Sequence, residues 1–190
     1  MIITEKTVER NIVYKGRVLE YVVDTVELEN GITSTREMVF HPGGVGVICI
    51  DDDGCVCLVK QFRKPYDEAL LEIPAGKLDK GEDPLECGKR ELLEETGYTA
   101  ENFVSLGKFY PSVGYTNEVL HLFMATELTA GESNPDEDEF VDIERIHLSK
   151  LVEMVMSGEI KDGKTIAAVL KANEILKLKG FGNDSLNNQH

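Results

Sequence analysis

Residues 76–98 read GKLDKGEDPLECGKRELLEETGY, and the rest of the chain can be placed around them. From Asp83 to Thr96 the pattern is helical, with Asp83 as N-cap, Pro84 at the first helical position and Gly97 just past the end. Gly76 and Gly81 bracket the loop that enters this helix, where a positive φ or a close backbone approach is needed. Glu91 and Glu95 stand about 6 Å apart along one helix face, with Glu94 on the neighbouring line. Each close pair of carboxylates repels by ~4 kcal/mol at an effective dielectric of 20. Uncompensated, such a cluster raises its own pKa values or destabilises the helix. Hard divalent cations remove that penalty, and carboxylate, carbonyl and water oxygens suit Mg2+ or Mn2+. Taken alone, a Glu-rich helix is more often a solvated acidic face.

Upstream, residues 12–28 and 35–40 alternate apolar and polar side chains around Glu29-Asn30-Gly31, whose Asn-Gly step signals a hairpin. An antiparallel meander is therefore expected to open the chain. After Pro42-Gly43-Gly44, the segments 45–50 and 55–62 form a second hairpin around the acidic turn 51–54. Downstream, strand-like runs at 103–109, 118–127 and 140–147 precede two amphipathic helices at 149–158 and 165–179. Strands before, between and after isolated helices predict an α+β fold arranged as an α/β/α sandwich. The expected division is a meander over 1–42, a main domain over 43–180 and a frayed tail over 181–190.

The chain has 190 residues, 42% hydrophobic and 29% charged, which is the composition of an ordinary globular protein. Its 35 acidic against 20 basic residues give a formal net charge of -15, which repels nucleic-acid phosphates and anionic membrane surfaces. No apolar run reaches the roughly 18 residues of a spanning helix, and MIITEKTVER lacks the basic-then-apolar pattern of a signal peptide. A cytoplasmic protein without nucleic-acid or membrane partners is expected. Cys49, Cys55, Cys57 and Cys87 form no CxxC and are read as reduced, core-type thiols. The chain is read as holding neither a GxGxxG fingerprint nor a GK[ST] P-loop, so classical NAD binding and P-loop ATP hydrolysis are both disfavoured.

The spacing of Gly76, Glu82, Arg90, Glu91, Glu94, Glu95 and Gly97 resembles the Nudix box. That signature is glycine, five residues, glutamate, seven residues, Arg-Glu, aliphatic, any, Glu-Glu, any, glycine, aliphatic. Every fixed position matches, and only Tyr98 departs from the closing aliphatic residue. The resemblance implies a Nudix fold, a mixed central sheet to which the N-terminal antiparallel β-meander is added, and a metal-dependent hydrolase. It implies Glu91, Glu94 and Glu95 as metal ligands, with the Ala75 carbonyl as a further one and Mg2+ as cofactor, Mn2+ being the alternative. Arg90 then orients carboxylates, Glu94 counts in the catalytic set as well, and Glu82 braces the loop or reaches metal through water.

The likeness extends beyond the box. QFRKPYDEALLEIPAGKLDKGE resembles the approach to the box in the ADP-ribose pyrophosphatase branch. FYPSVGYTNEVLHLF resembles that branch's Phe-x-x-Ser-Pro-Gly-x-x-x-Glu segment, with Val113 where proline is usual. The branch implies Glu118 at the sugar-phosphate part of the ligand, and Glu137 as catalytic base with Glu139 as an accessory acid in the acidic loop 134–139. It implies Arg36 and Arg63 as phosphate or terminal-ribose contacts, since a planar guanidinium suits bidentate oxygen contacts. A surface salt bridge is the alternative for each arginine. The meander resembles the extra sheet through which the branch dimerises, so a homodimer is expected. The implied reaction is metal-dependent cleavage of the diphosphate of ADP-ribose, to AMP and ribose 5-phosphate, or of a related nucleoside diphosphate sugar. Alternatives are GDP-mannose, a dinucleoside polyphosphate or an oxidised nucleotide as substrate, and a non-catalytic module that senses ADP-ribose. The intact run from Arg90 to Glu95 and the lack of an appended basic segment favour the enzyme.

Overall fold

Three antiparallel strands open the chain in the order β1 (Lys6–Lys15), β2 (Glu20–Glu27), β3 (Thr33–Phe40), as the alternation predicts. The computed structural model describes residues 4–131 and 142–184. The apolar-polar run over 12–28 is two strands, because Gly16 turns the chain and its N–H donates to the Leu19 carbonyl at 2.9 Å. On β2, Val22, Asp24 and Val26 are buried in strict alternation. The buried Asp24 carboxylate accepts two hydrogen bonds from Arg10, at 2.8 and 2.7 Å, which offset its desolvation. β3 is continued by an irregular segment: Val39 N–H donates to Tyr115 O at 2.7 Å and Asn117 N–H to Val39 O at 3.2 Å. These residues form a unit of their own, comprising the chain up to Gly43 together with Tyr110–Val119. Residues 110–119 thus group with the N-terminal strands.

The second unit holds a mixed sheet of seven strands. They are β4 (Gly44–Ile50), β5 (Cys55–Arg63), β6 (Glu68–Glu72), β7 (Ala75–Lys77), β8 (Tyr98–Phe109), β9 (Leu120–Ala130) and β10 (Asp142–His147). The order is β10-β5-β4-β9-β8, with β6 paired to β5 and β7 to β4. Among the described strands of this sheet, only the β4–β9 pairing is parallel. β4 is buried at every position, which is why its sequence is continuously apolar and not alternating. Its Val45, Val47 and Cys49 pack with Cys87 and Leu92 of α1 (Pro84–Thr96). Its Ile48 and Ile50 pack on the other face with Leu151 of α2 (Leu148–Ser157) and Ala168, Val169 and Ala172 of α3 (Gly163–Asp184). The layers are therefore helix, sheet, helices, the expected α/β/α sandwich.

Two strands, β6 and β7, have no counterpart in the sequence reading, because each is too short to display a period and Pro74 interrupts them. Residues 181–184, expected in a frayed tail, are helical, since helix propagation does not stop where amphipathic patterning ends. All four cysteines are free thiols, three of them buried. No helix among the described residues is long and apolar enough to cross a membrane.

Candidate functional site

The capping of α1 sets the rotation at which its acidic residues emerge. Asp83 Oδ1 accepts from the N–H groups of Leu85 (2.9 Å) and Glu86 (3.3 Å), Pro84 opens the helix, and the chain leaves it at Gly97. With Cys87, Gly88 and Leu92 against the sheet, Glu95 is carried inward and is only 3% exposed. Its carboxylate is fully engaged: Oε1 accepts from Gln61 Nε2 at 2.8 Å and Oε2 from the Ala75 N–H at 2.9 Å. Glu91 lies one turn back and Glu94 one residue back, and the two are bridged by Arg90, whose Nη1 donates to Glu91 Oε1 at 2.7 Å and Glu94 Oε2 at 2.9 Å.

Arg90 also fastens the entry loop. Its Nε and Nη2 donate to the two oxygens of Glu82 at 3.0 and 3.2 Å, and Glu82 Oε2 accepts the Asp79 N–H at 2.9 Å. The Arg90 guanidinium first, and then the Asp79 N–H, hold the Glu82 carboxyl down to about 2. Glu82 in turn raises the pKa of Arg90, and burial pushes the neighbouring Cys87 thiol up to about 12. The two loop glycines answer different needs. Gly81 has φ +81°, a left-handed conformation open to glycine at no steric cost. At Gly76 the reason is space: a Cβ there would lie 1.9 Å from the carboxyl carbon of Glu91. The Glu91 carboxylate thus rests on the bare backbone of β7, next to Ala75.

Among the described residues no three His, Cys, Asp or Glu side chains are gathered so as to enclose an ion. The donors themselves are those of a hard divalent cation, three carboxylates and a nearby backbone carbonyl. The guanidinium between Glu91 and Glu94 shows that this pair draws positive charge to itself. The residues present therefore fit a divalent cation.

Arg63 sits two residues after Gln61 on β5, on the same face. Its Nε and Nη2 donate to the two oxygens of Glu72 at 2.6 and 2.8 Å. The Glu72 side chain is 3% exposed and also accepts from Lys164 Nζ. Burial pushes the Glu72 carboxyl up, but the hydrogen bonds from Arg63 and the charge of Lys164 outweigh it, so the net shift is downward. Lys164 further donates to Asp162 Oδ2 at 3.0 Å, and the same oxygen caps α3 through the Thr165 N–H (3.0 Å) and hydroxyl (2.6 Å). Thr165 Oγ1 accepts the Ile73 N–H at 2.9 Å, tying the start of α3 to the strand segment ahead of the box. Sequence reasoning missed Glu72 and Lys164. The signal for Glu72 was a lone carboxylate inside the apolar run LLEIPA, where a buried charge requires a partner.

The expectation about P-loops also needs correction. Residues 158–165, GEIKDGKT, do carry the GxxxxGK[ST] pattern formally. The structural context is absent: helix α2 precedes the segment instead of a strand, Gly158 closes that helix, and Lys164 is paired with Glu72 and Asp162.

Of the other residues singled out from sequence, Arg36 and Glu118 belong to the first unit. In the first unit Arg36 grips Glu5 with Nε and Nη2 at 2.9 and 2.5 Å, while Nη1 donates to Ser34 Oγ and the Thr35 carbonyl. Glu118 Oε1 lies 3.4 Å from His41 Nδ1, which accepts the Gly43 N–H at 3.1 Å. Glu137 and Glu139 lie outside the described residues.

Comparison with known proteins agrees with this fold. The model of the NUDIX domain matches residues 40–169. The chain is 45% identical over 167 residues to the ADP-ribose pyrophosphatase of Bacillus subtilis strain 168, covering 87% of this chain and 90% of that protein. It is 45% identical over 179 residues to the methanol dehydrogenase activator of Bacillus methanolicus, covering 92% and 97%. A GDP-mannose pyrophosphatase of Yersinia enterocolitica is 34% identical over 160 residues, covering 77% and 82%. Among solved structures, one described as an ADP compounds hydrolase superposes with a TM-score of 0.82 over 93% of this chain and 96% of its own, at 21% identity, which speaks for the fold alone. Nudix hydrolases generally use divalent metal ions. With the box residues placed as described and the family model spanning most of the chain, this protein belongs to the Nudix hydrolase family.

Proposed function

We propose that this chain hydrolyses the diphosphate of ADP-ribose, releasing AMP and ribose 5-phosphate. The observation that carries the reading is the placement of Glu91 and Glu95 against the backbone at Ala75–Gly76, with Glu94 tied to Glu91 through Arg90, in a chain so similar to an ADP-ribose pyrophosphatase. Glu91, Glu94, Glu95 and the Ala75 carbonyl would hold Mg2+, or Mn2+ in its place. When bound, the ion polarises the diphosphate, acidifies a water and offsets the charge on the leaving phosphate. Arg90 keeps the carboxylates aligned and anchors the entry loop through Glu82. Glu137 takes the proton of the attacking water, with Glu139 as its accessory. Arg63 and Arg36 bind phosphate or ribose oxygens, Arg36 after exchanging Glu5 for ligand, and Glu118 contacts the sugar-phosphate part.

The similarity to a GDP-mannose pyrophosphatase favours GDP-mannose as the second reading, and Val113, where the ADP-ribose branch usually carries proline, weighs against ADP-ribose alone. The two are separated by kcat/KM measured with Mg2+ on ADP-ribose, GDP-mannose, a dinucleoside polyphosphate and an oxidised nucleotide. ADP-ribose is expected to lead, and a higher value for any other member overturns the substrate assignment. We further read the protein as a cytoplasmic homodimer built through the N-terminal meander. All ten residues of the edge strand β1 are exposed, including Val8, Ile12, Val13 and Tyr14, each more than half accessible. Such a strand calls for a partner surface.

A further inference from the structure

Glu72 takes one particular edge of the Arg63 guanidinium. The grip through Nε and Nη2 leaves the opposite edge, Nη1 with the second hydrogen of Nη2, turned away from Glu72. That remaining edge is a two-donor fork of the kind that matches a phosphate or carboxylate. The Arg63 side chain is 38% exposed, so the edge is within reach of a ligand, while its partner Glu72 is buried.

The site is also close to the box. Gln61, on the same face of β5, donates to Glu95, and the charge of Glu95 acts on Arg63. Behind Glu72 stands Lys164, itself only 11% exposed, and behind Lys164 stands Asp162. Arg63, Lys164, Glu72 and Asp162 together sum to zero charge. Without Lys164 the remaining three sum to −1, and Glu72 would have the guanidinium as its only counter-ion. Arg63 would then be held by a carboxylate that competes with an incoming anion.

We propose that Glu72 and Lys164, neither assigned any role by the box, are positioning residues that fix Arg63 with its outer edge open to a phosphate oxygen of the diphosphate substrate. The juxtaposition that carries this is a carboxylate from the end of β6 held between an arginine of β5 and a lysine from the start of α3. The inference rests on the reading of Arg63 as a ligand contact given under the proposed function.

The test is a double-mutant cycle on the full-length protein with ADP-ribose and Mg2+. Lys164→Met is expected to raise KM about tenfold while kcat stays within about twofold, the signature of binding shared by ground and transition states. Glu72→Gln, which cannot accept from both Arg63 nitrogens and Lys164 together, is expected to do the same. Arg63→Ala should raise KM at least as much, and Lys164→Met should add nothing further in that background, because it acts through Arg63. Lys161→Met removes the same charge from the same segment but is paired with Glu68, and is expected to leave KM unchanged. If Arg63→Ala raises KM and Lys164→Met does not, or if their effects multiply, or if Lys161→Met matches Lys164→Met, the inference is overturned while the role of Arg63 stands. If Arg63→Ala leaves KM unchanged, both fall, and wild-type protein inert toward ADP-ribose sinks the functional reading beneath them. Should Lys164→Met fail to fold, Lys164→Gln is judged by the same criteria.

Discussion

Gly76 and Glu91 approach so closely that a methyl group on the glycine would occupy the carboxylate's own place, 1.9 Å from its carboxyl carbon. The atom in the way is the far end of a flexible side chain. Gly76→Ala should therefore be absorbed by moving Glu91 and not by unfolding, at about 1–3 kcal/mol of overpacking at most. The displaced carboxylate leaves its position beside Ala75, so kcat/KM is expected to fall at least about tenfold. Thermal melting together with steady-state kinetics checks this, and a variant with full activity would show that Glu91 need not lie on the β7 backbone.

Activity should require a divalent cation and vanish in excess chelator, returning with Mg2+. Glu94→Gln is the cleaner probe of that requirement, because Glu94 is only partly buried and, among the described residues, its hydrogen bond runs to Arg90. It is expected to lower turnover about 100-fold or more with little change in melting temperature. Glu95→Gln should lose activity to the same degree but also stability. Both Glu95 oxygens accept hydrogen bonds in a buried site, and a glutamine amide would face Gln61 or the Ala75 N–H donor to donor. That mismatch costs about 1–3 kcal/mol. Reading the helix alone suggests the opposite, relief of repulsion. Full turnover in chelator would remove the metal role.

Replacing the true base among Glu137 and Glu139 by Gln should depress kcat by about 10^2–10^4-fold with little change in substrate affinity. The pair of single variants identifies it. Unaltered turnover in both would place the base elsewhere.

Glu82 predicts a pH dependence of stability. Its carboxyl is held at about 2 in the folded chain against an ordinary 4.5, so the folded state favours the ionised form. The stabilisation is complete above about pH 4.5 and is lost as the pH falls toward 2, amounting to about 1 kcal/mol once solvent screening is allowed for. Glu82→Gln should be less stable at neutral pH, and the gap should close on acidification. Denaturant midpoints at pH 7, 4 and 2.5 test this, and a gap independent of pH would contradict it.

Sedimentation at micromolar concentration should show a dimer. A species of 21.1 kDa alone would contradict the role given to the exposed edge strand β1.

Local rules were enough for α1, because its caps and its i, i+4 glutamates depend only on neighbours along the chain: Asp83, Pro84 and Gly97 bound the helix as their chemistry requires. The buried strand β4 and the antiparallel meander were likewise legible from apolar patterning, whereas the split of 12–28 into two strands at Gly16 was not. Tertiary structure alone decided what each carboxylate faces. Glu91, Glu94 and Glu95 are equivalent as letters, yet packing of Leu92 and Cys87 on the sheet turns Glu95 inward to Gln61 and leaves Glu94 outside. The partnership of Glu72 with Arg63 and Lys164 spans β5, β6 and α3, with the lysine 92 positions after Glu72 in the chain. No local pattern encodes such a contact, since it exists only once the sheet has brought those elements together and burial has made an unpaired charge too costly to keep. The same holds for GEIKDGKT, whose letters match a phosphate loop and whose surroundings make it the start of a helix braced against a carboxylate.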